Sequence, residues 1–265
     1  MNHDKTSQDR RAFLRASGAA AIAGFPGIIS AQTVTNAIKV GLVGCGGRGT
    51  GAASQALKAD DLTELTAVAD IDQDRITSSL ETLKKIQRIS NRVKVESSKQ
   101  FIGLDAYQKV VDNSDVVLLA TPPGFRPVHL AATIAAGRHV FCEKPVSTDA
   151  PGIRSVLATV EQAKQKKLSL VAGFCWRYNS MIVDTFEQLK QGAIGRLVAY
   201  YATYYTSPVK PMPPESTRPA GMSDVEWQVA NWYNFTWLSG DGLVEQACHS
   251  VDKIAWAMNG VLPLK

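Results

Sequence analysis

From residue 37 onward, short and almost unbroken apolar runs alternate with longer amphipathic stretches. The runs are AIKVGLVG (37–44), TELTAVAD (63–70), SDVVLLATPP (114–123), RHVFCEKP (138–145) and LSLVAGF (168–174). Each is rich in Val, Leu and Ala and lacks the in–out alternation of a strand with one wet face. That is how strands covered on both sides of a parallel sheet read. Between them, residues 72–89 carry Ile76, Leu80, Leu83 and Ile86 at helical spacing, with Lys, Arg and Glu on the remaining face. Residues 127–136 and 153–166 also read as helices. Strand–helix alternation of this kind predicts an α/β fold built on a doubly wound parallel sheet.

The pattern changes after residue 175. Residues 181–191 read as a helix. RLVAYYATYYT (196–206) predicts a strand with tyrosines on one face, and SPVKPMPPESTRP (207–219) is too rich in proline for helix or sheet. Residues 225–235 and 244–258 read as helices. Residues 176–265 are therefore expected to be the start of an α+β second domain, a partial substrate or dimerisation domain. The strand at 196–206 needs neighbours that the following residues do not clearly supply, and an unpaired apolar strand is an aggregation hazard. Either the rest of a second domain is missing or another subunit completes the sheet.

Residues 1–36 stand apart. The stretch DRRAFLRASGAAAIAGFPGIISA (9–31) has two adjacent arginines, then Phe13 and Leu14, then a weakly apolar region rich in Ala and Gly. It predicts a twin-arginine export signal followed by a linker, and hence a periplasmic location. A disordered basic tail is the alternative. The net charge of +5 sits partly here, in Lys5, Arg10, Arg11 and Arg15. No basic stripe of the kind nucleic-acid binding needs appears elsewhere. No stretch is long and apolar enough to span a membrane. Cys45, Cys142, Cys175 and Cys248 form no CxxC pair and no zinc spacing, so no metal is expected. They read as small buried residues rather than disulfides.

The first apolar run ends in Gly44-Cys45-Gly46-Gly47-Arg48-Gly49, which matches G-x-G-x-x-G at Gly44, Gly46 and Gly49. Glycines so spaced permit a tight turn, close approach of backbone to a diphosphate, and close helix–strand packing. The helix that follows aims its N-terminus at the phosphates. Asp70 ends the next strand, where a ribose-binding acid is expected. Residues 37–175 are accordingly expected to form a Rossmann-type dinucleotide-binding domain. Asp70 favours NAD over NADP, because a carboxylate repels a 2′-phosphate; its alternative role is a helix N-cap. Arg48 either approaches a phosphate or is solvated.

Ligands of open α/β sheets bind outside the carboxyl ends of the strands. Glu143, Lys144 and Pro145 stand at such an end, as do Thr121 and Pro122. A lysine there serves acid–base chemistry if its surroundings permit, and the alternative is a surface Glu–Lys pair. Glu245 and His249 are four residues apart and share a face if the segment is helical, with Asp252 close to that face. A histidine on such a helix is otherwise a satisfied core residue. His129, on a helix start after ATPPGFRP, is a candidate wall of the cofactor cleft. His139 reads as structural, and Arg177 and Tyr178 are weaker candidates for reaching substrate.

Together, GLVGCGGRG, ATPP with His129 downstream, HVFCEKPV and EQACHSVD resemble the Gfo/Idh/MocA oxidoreductases, especially their exported members. The resemblance implies that Lys144 is the catalytic lysine, that Glu143 binds the nicotinamide ribose, and that Lys144–Pro145 is cis. It also implies that the family's D-x-x-x-H helix is represented by Glu245 and His249, with glutamate in place of aspartate. The expected activity is hydride transfer between NAD and a sugar or polyol carbon, with Lys144 removing the hydroxyl proton and His249 positioning or sharing it. Export implies a tightly held cofactor. An NAD-dependent glycosidase of the same fold and a non-catalytic nucleotide- or sugar-binding fragment are the rival expectations, and a homo-oligomer is expected if the second domain is complete.

Overall fold

A computed structural model of the protein describes residues 37–207 and 209–261. The expected export signal in residues 1–36 lies outside them. The apolar runs become strands β1 (Ile38–Val43), β2 (Thr63–Asp70), β4 (Val116–Leu119), β5 (His139–Cys142) and β6 (Leu170–Ala172). A further strand, β3 (Gln100–Ile102), escaped the sequence reading because it is three residues long and only partly covered. All pair in parallel in the order β3-β2-β1-β4-β5-β6. This is the doubly wound Rossmann arrangement, with the strand order reversing beside β1.

Helices cover both faces of the sheet. On one face, Val40 and Leu42 of β1 pack with Leu57, Ile76 and Leu83. These come from α1 (Gly47–Ala59) and α2 (Gln73–Lys84). On the other face, Val43 packs with Val117, Leu119, Leu130, Ile134 and Val140. Its helices include α3 (Ala106–Asp112), α4 (Arg126–Ala135) and α5 (Ala150–Gln165). Burial on both sides is why β1, β2, β4 and β5 read as unbroken apolar runs.

Beyond β6 lie α6 (Ser180–Lys190), α7 (Asp224–Ala230), the single-turn α8 (Thr236–Ser239) and α9 (Cys248–Ala257). The expected strand at 196–206 does not form. No other extended segment among the described residues pairs with it, so its backbone joins no ladder, and Tyr201 and Tyr205 are each 91% exposed. The expected helix at 225–235 stops at Ala230 and continues as a 3₁₀ turn at Trp232–Asn234. The expected helix at 244–258 opens with a π-helical turn, Leu243–Ala247. All four cysteines are free; Cys45 and Cys142 are buried, whereas Cys248 is half-buried and Cys175 is exposed. Cys175 lies on the 3₁₀ turn Cys175–Tyr178, just past the edge strand β6.

Candidate active site

The carboxyl ends of β1, β2 and β4 open onto a cleft of about 940 Å³ lined by Gly44, Gly46, Gly49, Asp70, Thr121, Pro122 and His129. Gly44 has φ +96, and a Cβ there would lie 2.8 Å from the Ala120 carbonyl carbon. A Cβ on Gly49 would lie 1.8 Å from the Gly44 carbonyl oxygen, so this glycine lets α1 close on the turn. Gly46 differs: a Cβ there would meet nothing within 4 Å. The N-terminus of α1 carries no side-chain cap and no acidic residue in its first turn. Its backbone N–H groups are thus left to an anion. These features fit the diphosphate of a dinucleotide.

Asp70 is tied into the same turn. Its Oδ2 accepts from the Cys45 backbone N–H at 2.7 Å, and its Oδ1 accepts from Ile71 N at 2.8 Å. Burial raises its pKa, with those bonds and Arg75 opposing. The N-cap of α2 is Asp72, whose side chain accepts from Asp74 N at 2.9 Å, so the capping alternative for Asp70 fails. Across the cleft, Thr121 Oγ1 lies 3.2 Å from His129 Nδ1. The His129 ring stacks on Tyr107 at 4.1 Å. Burial, with the Arg126 charge second, pushes His129 down to about 4. It is a neutral aromatic wall at ordinary pH.

A second cluster stands at the end of β5. The Lys144–Pro145 peptide is cis. Lys144 Nζ donates to Glu245 Oε2 at 2.7 Å and also to the Glu245 backbone carbonyl. Both side chains are largely buried. Two of the three ammonium protons are therefore committed to Glu245, and one is left without a partner among the described residues. Glu245 sits in the π turn, a departure from α geometry often found at functional sites. Glu245 and His249 are not hydrogen-bonded to each other: the carboxylate is taken by Lys144 and, at 3.4 Å, by Gln246 Nε2.

His249 is buried, and its Nδ1 has no hydrogen-bond partner among the described residues. Phe174 and Trp176 approach the ring edge-on at 6.1 and 6.5 Å, and Tyr204 lies roughly parallel at 6.1 Å. Burial lowers its pKa, and the charges of Lys144 and Lys253 lower it further against Asp252. Asp252 is itself engaged by Arg177, Nε to carboxylate 3.0 Å. Arg177 thus anchors α9, and Tyr178 is exposed. His139 is structural, its Nδ1 accepting from Ser169 N at 3.0 Å.

Glu143 connects the two clusters. Its buried carboxylate pairs with Arg48 of the glycine turn, Nε to Oε1 2.9 Å. No local signal in the sequence announced this pairing of Arg48. Arg126 was also missed. It is buried and donates to the Pro145 carbonyl, bracing the segment behind Lys144. Val229 and Trp232, from and just after α7, complete the cleft wall. Their place was not legible, because it depends on how the chain returns to the sheet.

The family described as "Oxidoreductase family, NAD-binding Rossmann fold" (Gfo/Idh/MocA) matches residues 38–172. The chain is 28% identical over 178 residues to dTDP-3,4-didehydro-2,6-dideoxy-alpha-D-glucose 3-reductase of Actinomadura kijaniata, covering 66% of this chain and 48% of that protein. It is 30% identical over 153 residues to an inositol 2-dehydrogenase of Cereibacter sphaeroides, covering 58% and 41% respectively. The chain thus spans about half the length of the curated relatives it matches. Its fold is shared with the WlbA dehydrogenase of Bordetella pertussis, solved with NADH and UDP-GlcNAcA. There the TM-score is 0.59 at 22% identity, over 84% of this chain and 56% of that one.

Proposed function

The chain belongs to the Gfo/Idh/MocA oxidoreductases, and from that membership we propose that it moves a hydride between NAD and a hydroxyl-bearing carbon of a sugar or polyol. The observation that carries this reading is Lys144 at the end of β5, paired with Glu245 and with its charge acting on His249, whose buried Nδ1 has no hydrogen-bond partner among the described residues. When bound, the nicotinamide supplies the hydride acceptor.

The chain's own residues do the rest. The glycine turn and the N-terminus of α1 hold the diphosphate. Asp70 receives the adenosine ribose and favours NAD over NADP, and Glu143 receives the nicotinamide ribose. The free N–H of Lys144 holds the substrate oxygen. The ammonium is already paired with a carboxylate, so Lys144 polarises that oxygen rather than acting as the first proton acceptor. The hydroxyl proton passes to neutral His249 as the carbon–hydrogen bond breaks and the carbonyl forms; in the reverse direction His249 returns it. The rings of Phe174, Trp176 and Tyr204 flank the imidazole.

The test is mass spectrometry of the small molecules released on denaturing the purified protein, followed by a sugar and polyol panel read by NADH formation. Near-stoichiometric NAD(H) with turnover on a polyol is expected. NADP in its place would reassign Asp70. A chain that neither carries nor binds a dinucleotide and reduces none would overturn the reading.

The same reading extends to export. Arg10, Arg11, Phe13 and Leu14 support a twin-arginine signal, which would carry the folded protein with its cofactor loaded. Replacing both arginines with lysine should strand the protein in the cytoplasm in cell fractionation. Unchanged delivery to the periplasm would remove the proposal.

A further inference from the structure

We infer that Arg48 and Glu143 form a strap across the cofactor cleft that slows the release of bound dinucleotide. This rests on the dinucleotide binding proposed above. The ends of β1 and β5 are two strand spacings apart with β4 between them, roughly 10 Å. Arg48, just past β1, and Glu143, just past β5, nevertheless meet at 2.9 Å. Their pair therefore crosses the end of β4, where Thr121 and Pro122 line the cleft. A dinucleotide held at the N-terminus of α1 and reaching Lys144 has to pass the same crossing.

The two halves of the strap differ in freedom. Glu143 is held: a Cβ on Gly173 would lie 2.9 Å from Glu143 Oε2, so the carboxylate rests against the backbone beyond β6. Its side chain is 9% exposed, and Arg48 is its only polar partner among the described residues. Lys144 does not compete, being committed to Glu245. Arg48 is the movable half, with its side chain 52% exposed. Its guanidinium lies along α1, over Gly51, where an added Cβ would be 3.8 Å from Cζ, and Nη2 donates to Gln55 Oε1 at 2.8 Å. It can swing out and return to the same berth without moving the sheet.

The experiment is stopped-flow displacement of NADH from the full chain by excess NAD, followed by NADH fluorescence. R48M keeps the aliphatic stem and removes the guanidinium. Release is expected to speed up about ten-fold, with R48K between R48M and the natural chain. Raising salt from about 0.05 to about 0.5 M is expected to speed release from the natural chain and leave R48M unmoved. In a double-mutant cycle, R48M/E143Q is expected to release no faster than the faster single variant, because both break one link. Unchanged release from R48M, or independent and multiplying effects of the two substitutions, would overturn the strap and leave the dinucleotide site standing. A natural chain that binds no dinucleotide would overturn the site and the strap with it.

Discussion

Lys144 Nζ lies 2.7 Å from Glu245 Oε2 across 101 residues of chain, fastening the end of β5 to the π turn that precedes α9. The contact links the nucleotide-binding sheet to the segment that carries His249. It also fixes how many protons the lysine has left to offer.

Replacing Lys144 with methionine should lower turnover by about 10² to 10⁴. Dinucleotide affinity should stay within about three-fold, because no cradle residue is touched. Steady-state rates beside an NADH fluorescence titration check both halves. A variant with unchanged circular dichroism and lost dinucleotide binding would assign Lys144 to the cofactor instead.

Glu245→Gln leaves the Lys144 ammonium largely buried without its counter-charge. The expected loss is about 2 kcal/mol in urea unfolding. Glu245→Asp keeps the charge and shortens the reach, so it should cost less than the amide. If glutamine proves as stable as glutamate, the pair does not hold the two segments together.

The glycine turn separates packing from ligand approach. Gly49→Ala drives a methyl into the Gly44 carbonyl, where the clearance is 1.8 Å, and should destabilise the fold as well as abolish dinucleotide binding. Gly46→Ala meets open space at extended backbone angles. It should melt like the natural chain while binding dinucleotide about ten-fold or more weakly. Thermal melts with and without NADH distinguish the two; a Gly46→Ala protein with full affinity would remove the cradle.

His129 gives the stability a pH dependence of known sign. Its pKa is lowered in the folded state to about 4 from 6.5, first by burial and then by Arg126. Both states are neutral above pH 6.5, so nothing is lost there. Between about pH 6.5 and 4 the unfolded chain binds the proton first, and stability falls with pH by about 3 kcal/mol in all. His129→Gln should flatten that part of a urea-midpoint profile. An unchanged slope would place the acid sensitivity elsewhere.

Four strands were legible because burial on both faces leaves a local trace in composition, the edge strand β6 because its residues are apolar although none is fully buried, and the glycine turn because its backbone needs one residue type at three positions. What could not be read depends on partners distant in the chain. Residues 196–206 have the residues of a strand, but a strand exists only when something pairs with it. The segment 244–258 has helical periodicity, yet Glu245 turns from His249 towards Lys144, and nothing in an i, i+4 pattern encodes a π turn. Arg48 was left between phosphate and solvent because its partner, Glu143, is brought near only by the strand order.

Val229 and Trp232 bear on the order of events during synthesis. The floor of the cleft is laid down by β1, β2 and β4, whereas part of its wall waits for the turn of chain around residue 232. Domains tend to fold as they leave the ribosome, N-terminal part first. A half-made chain would therefore own a nucleotide shelf before it owns a nucleotide pocket. Cofactor that arrives early can sample the shelf and leave; only the longer chain can enclose it.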